Sequence, residues 1–278
     1  MLVDTTGSMV RFRNNVRVSG SATGRPVVFS HGFGCDQSMW SRVVPGFASD
    51  HPVVLFDHVG AGDSDLSAYD RSKYDSLHGY ADDLLEIVDD LDLRDVIFVG
   101  HSVSAMIGVL AATHDPSRFA ALVLVGPSPR YLDDAGYIGG FDQAAIDSLL
   151  DSLDANYLGW SAAMAPVIAG NAGRPQFAAE LAESFCRTDP AIARNFAHVT
   201  FLSDNRRDLP RVTTPSLIVQ CTDDVIAPLA VGQYVHAAIP GSELSVLTAT
   251  GHSPNLSDPE QLVATIRAYL HRRLPGES

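Results

Sequence analysis

Apolar residues recur along the chain in two alternating rhythms. Short apolar runs at 26–30, 52–56, 96–99, 120–125, 215–220 and 243–247 read as buried strands. Between them the apolar positions fall at helical spacing. Leu77, Ala81, Leu84, Leu85, Val88 and Leu91 predict an amphipathic helix over 75–91, and 37–47, 105–110, 229–239 and 259–272 read as further helices. Strands alternating with helices predict a mostly parallel sheet with helices on both faces. Near the start, Val10-Arg-Phe12 and Val16-Arg-Val18 alternate about Asn14-Asn15, a hairpin signal at a sheet edge, and residues 1–8 read as a loose leader.

The alternation stops near Gly126. Four helix-like segments follow, at 142–153, 155–169, 176–187 and 190–202, with no convincing strand among them. Their apolar residues, such as Leu149, Trp160, Ile168, Phe177 and Phe201, spread over several faces. Either they build a small helical core, or some of the aromatics line a cavity over an active site. The expected organisation is a core of residues 1–128 and 209–278, with 129–208 inserted as a helical cap.

Composition narrows the function classes. With 278 residues, 46% hydrophobic and 19% charged, the chain has the make-up of a globular protein. A formal net charge of −14 disfavours binding to nucleic acid or an anionic membrane. Among 19 basic residues the only lysine is Lys73, a skew with no functional meaning. Cys35, Cys186 and Cys221 are odd in number and widely spaced, which reads as reduced thiols. No secretory signal or run of about 18 apolar residues is present, so a cytoplasmic protein is expected.

The chemistry centres on Gly100-His101-Ser102-Val103-Ser104, a tight turn between a strand and a helix. A serine at such a turn has its hydroxyl pushed out above a helix N-terminus, which suits a nucleophile. Ser104 stands where the usual pattern has glycine, so close packing of helix on strand is expected to survive with some strain. Asp224 and His252 follow two later strands. The order Ser…Asp…His, each at a strand's C-terminal end, is that of α/β-hydrolases. Asp223 competes with Asp224 for the acid; Asp224 is preferred because it lies nearer the 226–228 turn. Of ten histidines, His252 alone sits in a loop after the last strand. His101 reads as structural, and His58, His78, His114, His198, His236 and His271 as helix or outer-loop residues. Val103 N–H and Phe33 N–H, the latter in His31-Gly32-Phe33-Gly34, are the expected oxyanion donors. Cys35 reads as a small buried thiol. Asp57 to Ser64 is glycine-rich but lacks nucleotide-binding spacing and reads as a structural turn bracing the elbow. No histidine pair has metal-ligand spacing, so neither metal nor cofactor is expected.

Several longer stretches carry a family resemblance. Gly32-Phe-Gly-Cys-Asp-Gln-Ser-Met-Trp40, Leu55 to Ser64, Gly100-His-Ser-Val-Ser-Ala-Met-Ile-Gly108, Val125 to Pro129, Cys221-Thr-Asp-Asp-Val-Ile-Ala-Pro228 and Gly251-His-Ser-Pro254 make the chain from about Met9 resemble the RsbQ-type stress regulators of Gram-positive bacteria. They are also similar to the plant strigolactone and karrikin receptor hydrolases. Ser104 looks like the plant-receptor form of the elbow; Cys35 and Asp223-Asp224 look like the bacterial form. The resemblance implies an α/β-hydrolase fold, a four-helix V-shaped cap, and Ser102, Asp224 and His252 as a triad. It also implies a hydrophobic pocket lined by Phe33, Val103, Trp160 and Phe201. Such proteins hydrolyse small apolar esters or lactones, or sense one and signal to a partner, which in the bacterial regulators is a PAS-domain serine phosphatase. Ile226 replaces a smaller residue of the plant receptors and is expected to narrow the pocket.

Overall fold

In a computed structural model describing residues 8–274, seven strands form one sheet: β1 (Arg17–Gly20), β2 (Val27–Ser30), β3 (Pro52–Leu55), β4 (Val96–His101), β5 (Phe119–Val125), β6 (Ser216–Asp223) and β7 (Glu243–Thr250). Their spatial order is β1-β3-β2-β4-β5-β6-β7. Only β1 runs antiparallel to its neighbour; the other pairings are parallel. The central strands read as near-continuous apolar runs because both faces are covered. Val27, Phe29, Ile97, Val99 and Val123 pack into one buried cluster, and Val28, Val54, Phe98, Leu122 and Leu124 into another.

The helices are α1 (Met9–Arg13), α2 (Leu77–Asp90), α3 (Val103–His114), α4 (Gln143–Ala155), α5 (Tyr157–Ala169), α6 (Pro175–Cys186), α7 (Pro190–Phe201), α8 (Leu229–Ala238), α9 (Pro254–Ser257) and α10 (Pro259–Arg273). Helices α4–α7 fall between β5 and β6 and form the inserted helical cap. Helix α3 is buried along Val103–Ala112, and it can lie so close to β4 because Gly108 has no side chain. A Cβ there would sit 2.2 Å from the Phe98 ring. Among the described residues no helix is long and apolar enough to cross a membrane.

Two sequence expectations fail locally. The predicted hairpin at 10–18 is a short helix, α1, followed by the edge strand β1, which pairs with β3. Ser8 caps that helix by accepting the Arg11 N–H, so the last residue of the supposed leader is structured; the first seven lie outside the described residues. What fixes α1 is distant in sequence: Arg11 pairs with Asp90 at 2.7 Å and Arg13 with Asp83 at 3.0 Å, both on α2. The predicted helix over 37–47 is two 3-10 turns, Gln37–Trp40 and Val44–Gly46. Pro45 lies inside the second, where it has no N–H for a continuous helical ladder and disfavours α-helical geometry at Val44.

Asp83 is fully buried and receives Arg13, Lys73 at 2.6 Å and the Tyr74 hydroxyl at 2.8 Å. Removing it leaves Arg13 and Lys73 to share the half-exposed Glu86, and leaves the Tyr74 hydroxyl without its acceptor. Asp83→Ala is expected to destabilise the protein by about 3 kcal/mol in chemical denaturation, with α1 the first element to lose amide-exchange protection.

Candidate active site

Ser102 closes β4 and starts α3 with φ 57° and ψ −123°, a conformation that a residue with a side chain seldom adopts. Its N–H donates to the Val125 carbonyl on the neighbouring strand at 2.8 Å, which pins the turn in place. The hydroxyl is thereby presented to His252 Nε2 at 2.8 Å. Asp224 directly follows β6, and its Oδ2 lies 2.7 Å from His252 Nδ1. Its Oδ1 accepts the N–H groups of Ile226 at 2.8 Å and Ala227 at 3.0 Å. Asp223 points away and is exposed, which decides the competition between the two acids. Burial raises the cost of the Asp224 charge, but His252 and the two N–H groups outweigh it and hold the carboxyl below its ordinary range.

His252 is held on both sides. Gly251 before it has φ +94°, and a Cβ there would meet the Ala169 carbonyl oxygen at 2.0 Å. The His252 N–H donates to the Ile168 carbonyl at the end of α5, at 2.9 Å. Its own carbonyl accepts His101 Nε2–H at 2.7 Å, so His101 braces the base from the residue beside the nucleophile. Burial lowers the His101 imidazole to about 3, which keeps it neutral. With Nδ1–H donated to Asp224, His252 Nε2 is left to take the Ser102 proton.

Above these groups lies a cavity with about 40 Å³ of room for the centres of water-sized molecules. Phe33, Trp160, Phe201 and Ile226 line it, over Ser102 and His252. Phe33 meets Trp160 and Phe201 edge-on at 6.0 and 6.1 Å between ring centres. Val103 is not in the lining: its side chain packs into the cluster beneath the elbow, leaving only its backbone near the site. Cys35 is a cavity-edge thiol that burial pushes up to about 12, so it stays protonated.

Two residues escape the sequence reading. Tyr131 lines the cavity with its hydroxyl 3.4 Å from Ser102 Oγ, and burial pushes its phenol up to about 12. Its only sequence signal is position, shortly after the C-terminal end of a central strand, where ligands of open α/β sheets bind. His58, expected in a helix or outer loop, is buried beneath the elbow with Nε2 2.9 Å from Ser104 Oγ.

Comparison with known proteins agrees with this geometry. The Alpha/beta hydrolase family profile matches residues 27–265. A probable esterase of Oryza sativa subsp. japonica is 39% identical over 263 residues, covering 94% of this chain and 97% of that protein. This chain is an α/β-hydrolase of the RsbQ-like, strigolactone-receptor-like esterase family. A karrikin insensitive 2 receptor of Petunia hybrida is 37% identical over 264 residues, covering 95% and 97% of the two chains. Among solved structures, a hydrolase from Oleispira antarctica superposes with a TM-score of 0.92 at 38% identity, over 95% of this chain and 96% of that one. With its triad assembled, this α/β-hydrolase is a serine hydrolase acting on ester bonds.

Asp224→Asn is expected to lower kcat roughly 10⁴-fold with little change in KM, because the amide no longer fixes the histidine tautomer. Stability should respond to pH as well. A carboxyl held below its unfolded value, near 4, stabilises the fold above that pH and loses the effect as pH falls through the folded value. The gap in melting temperature between wild type and Asp224→Asn should therefore narrow as pH drops below about 4.

Proposed function

We propose that this α/β-hydrolase cleaves small apolar esters or lactones through an acyl-enzyme on Ser102. The observation that carries the reading is a complete triad beneath a narrow cavity walled by Phe33, Tyr131, Trp160, Phe201 and Ile226. Ser102 Oγ attacks the carbonyl carbon while His252 Nε2 takes the hydroxyl proton. The oxyanion then forms against the N–H groups of Phe33 and Val103. Val103 opens α3, so its N–H belongs to the first turn, which has no intrahelical acceptor. Preorganised donors of this kind are worth roughly 3–4 kcal/mol each to the transition state. His252 returns the proton to the leaving alkoxide, and water, deprotonated by the same imidazole, releases the acid. Trp160, Phe201 and Ile226 form the substrate walls, and Ile226 favours short or flat acyl groups. Three free cysteines agree with a cytoplasmic setting.

A second reading shares this chemistry. The backbone of His252 is bonded to α5 of the cap, and Asn171 Nδ2 donates to the Thr250 carbonyl at 2.6 Å. We infer that a ligand on the triad shifts the cap through these bonds, the behaviour of a ligand sensor that docks a partner such as a PAS-domain serine phosphatase.

For the enzymatic reading, mass spectrometry after exposure to a panel of esters and lactones should show an acyl adduct on Ser102 that Ser102→Ala lacks. Undiminished hydrolysis of a p-nitrophenyl ester by Ser102→Ala would falsify it. Ile226→Ala should raise kcat/KM for a hexanoyl ester relative to the acetyl ester by about tenfold, as expected when a pocket gains room for extra methylenes.

A further inference from the structure

The hydroxyl of Ser104 does not line the cavity. It is buried against three groups: the His31 carbonyl at 2.5 Å, Ser30 Oγ at 2.9 Å and His58 Nε2 at 2.9 Å. A hydroxyl has one hydrogen and two lone pairs, and a carbonyl can only accept. The Ser104 hydrogen therefore goes to His31, and its lone pairs receive Ser30 O–H and His58 Nε2–H. This makes His58 the Nε2–H tautomer and leaves its Nδ1 as a lone pair, consistent with that atom having no hydrogen-bond partner.

The next contacts carry the arrangement into the loop after β2. The His58 N–H donates to His31 Nε2 at 3.0 Å, so the His31 ring holds its proton on Nδ1 and donates it to the Gly32 carbonyl at 2.9 Å. The Cys35 N–H donates to the same oxygen at 3.2 Å. That carbonyl and the Phe33 N–H are opposite ends of one planar trans peptide. Holding the oxygen at one end fixes where the hydrogen at the other end points.

We propose that Ser104 is a positioning residue for the oxyanion site. By holding the His31 carbonyl and the His58 ring in place together, it keeps the Gly32–Phe33 peptide turned with its N–H toward the reacting carbonyl. The inference rests on Phe33 N–H being an oxyanion donor. Glycine, the residue the general elbow pattern has here, would take the hydroxyl from the His31 carbonyl and leave Ser30 Oγ and His58 Nε2 with only their 3.2 Å contact to each other in a dry interior.

The test compares Ser104→Ala and Ser104→Gly with wild type using two probes of the same alkyl group. A boronic acid becomes tetrahedral on Ser102 and places an oxygen in the oxyanion site; the matching alcohol does not. Both variants should lose about tenfold in kcat and in boronate affinity, a fraction of what deleting a donor costs, while KM and alcohol affinity move less than about twofold. Boronate affinity and kcat equal to wild type overturn the role of Ser104. A wild type with no preference for the boronate over the alcohol overturns the Phe33 reading instead. Nitrogen NMR of imidazole-labelled wild type gives a readout independent of whether the variants fold. The expected tautomers are Nε2–H on His58 and Nδ1–H on His31, and either ring in the other tautomer overturns the proposal.

Discussion

The site depends on one backbone constraint, the left-handed turn at Ser102. Such a conformation in a residue with a side chain costs about 1–3 kcal/mol and persists only where the surroundings over-determine it. Here they do so from two directions. The Ser102 N–H is bonded to β5, and α3 lies against β4 because Gly100 and Gly108 leave room for the Phe98 ring and the Ser104 backbone. The strain serves the chemistry: it lifts Oγ out of the sheet and frees the first turn of a helix for negative charge.

The base and acid complete the geometry by different means. Asp224 is fixed locally, by two N–H groups of the turn it begins. His252 is fixed from far away, by α5 of the cap through its N–H and by His101 through its carbonyl. The cap therefore does more than cover the cavity: it supplies one of the two backbone bonds that hold the catalytic imidazole in place.

This division explains what the sequence could reveal. Ser102, Asp224 and His252 were legible because each lies in a short motif at a strand end, and the chain order of the three constrains the fold. The alternating rhythm likewise located the sheet and the four cap helices. Tyr131 and His58 were not legible because their roles come from partners that meet only in the folded molecule, at Ser102 and Ser104. The N-terminal helix was missed for the same reason. Its own residues alternate like a strand, and ion pairs to α2, some seventy residues on, decide otherwise. Ser104 is the intermediate case. Its departure from glycine was visible and was expected to bring strain, whereas the structure gives its hydroxyl three partners.

How the cavity opens is a question of magnitudes. Three arginines strap α6 and the loop before it to the core: Arg42 to Glu180, Arg187 to Asp36, and Arg174 to the Ser257 carbonyl and Asp258. All three side chains are about two-fifths exposed, between 39% and 44%. The Arg42 and Arg174 links join partly exposed groups and contribute about 0–1 kcal/mol each, less as salt rises, whereas Arg187 ends on the buried Asp36 carboxylate and holds more firmly. The rings of Phe33, Trp160, Phe185 and Phe201 pack together inside, and burying each contributes about 1.5–3 kcal/mol. Ring packing therefore dominates the closed state. A ligand that separates the rings has to replace those contacts with its own apolar surface, because a polar one would lose its hydration without finding partners. The same aromatic cluster that keeps the resting cavity small thus selects for apolar ligands before Ser102 is reached.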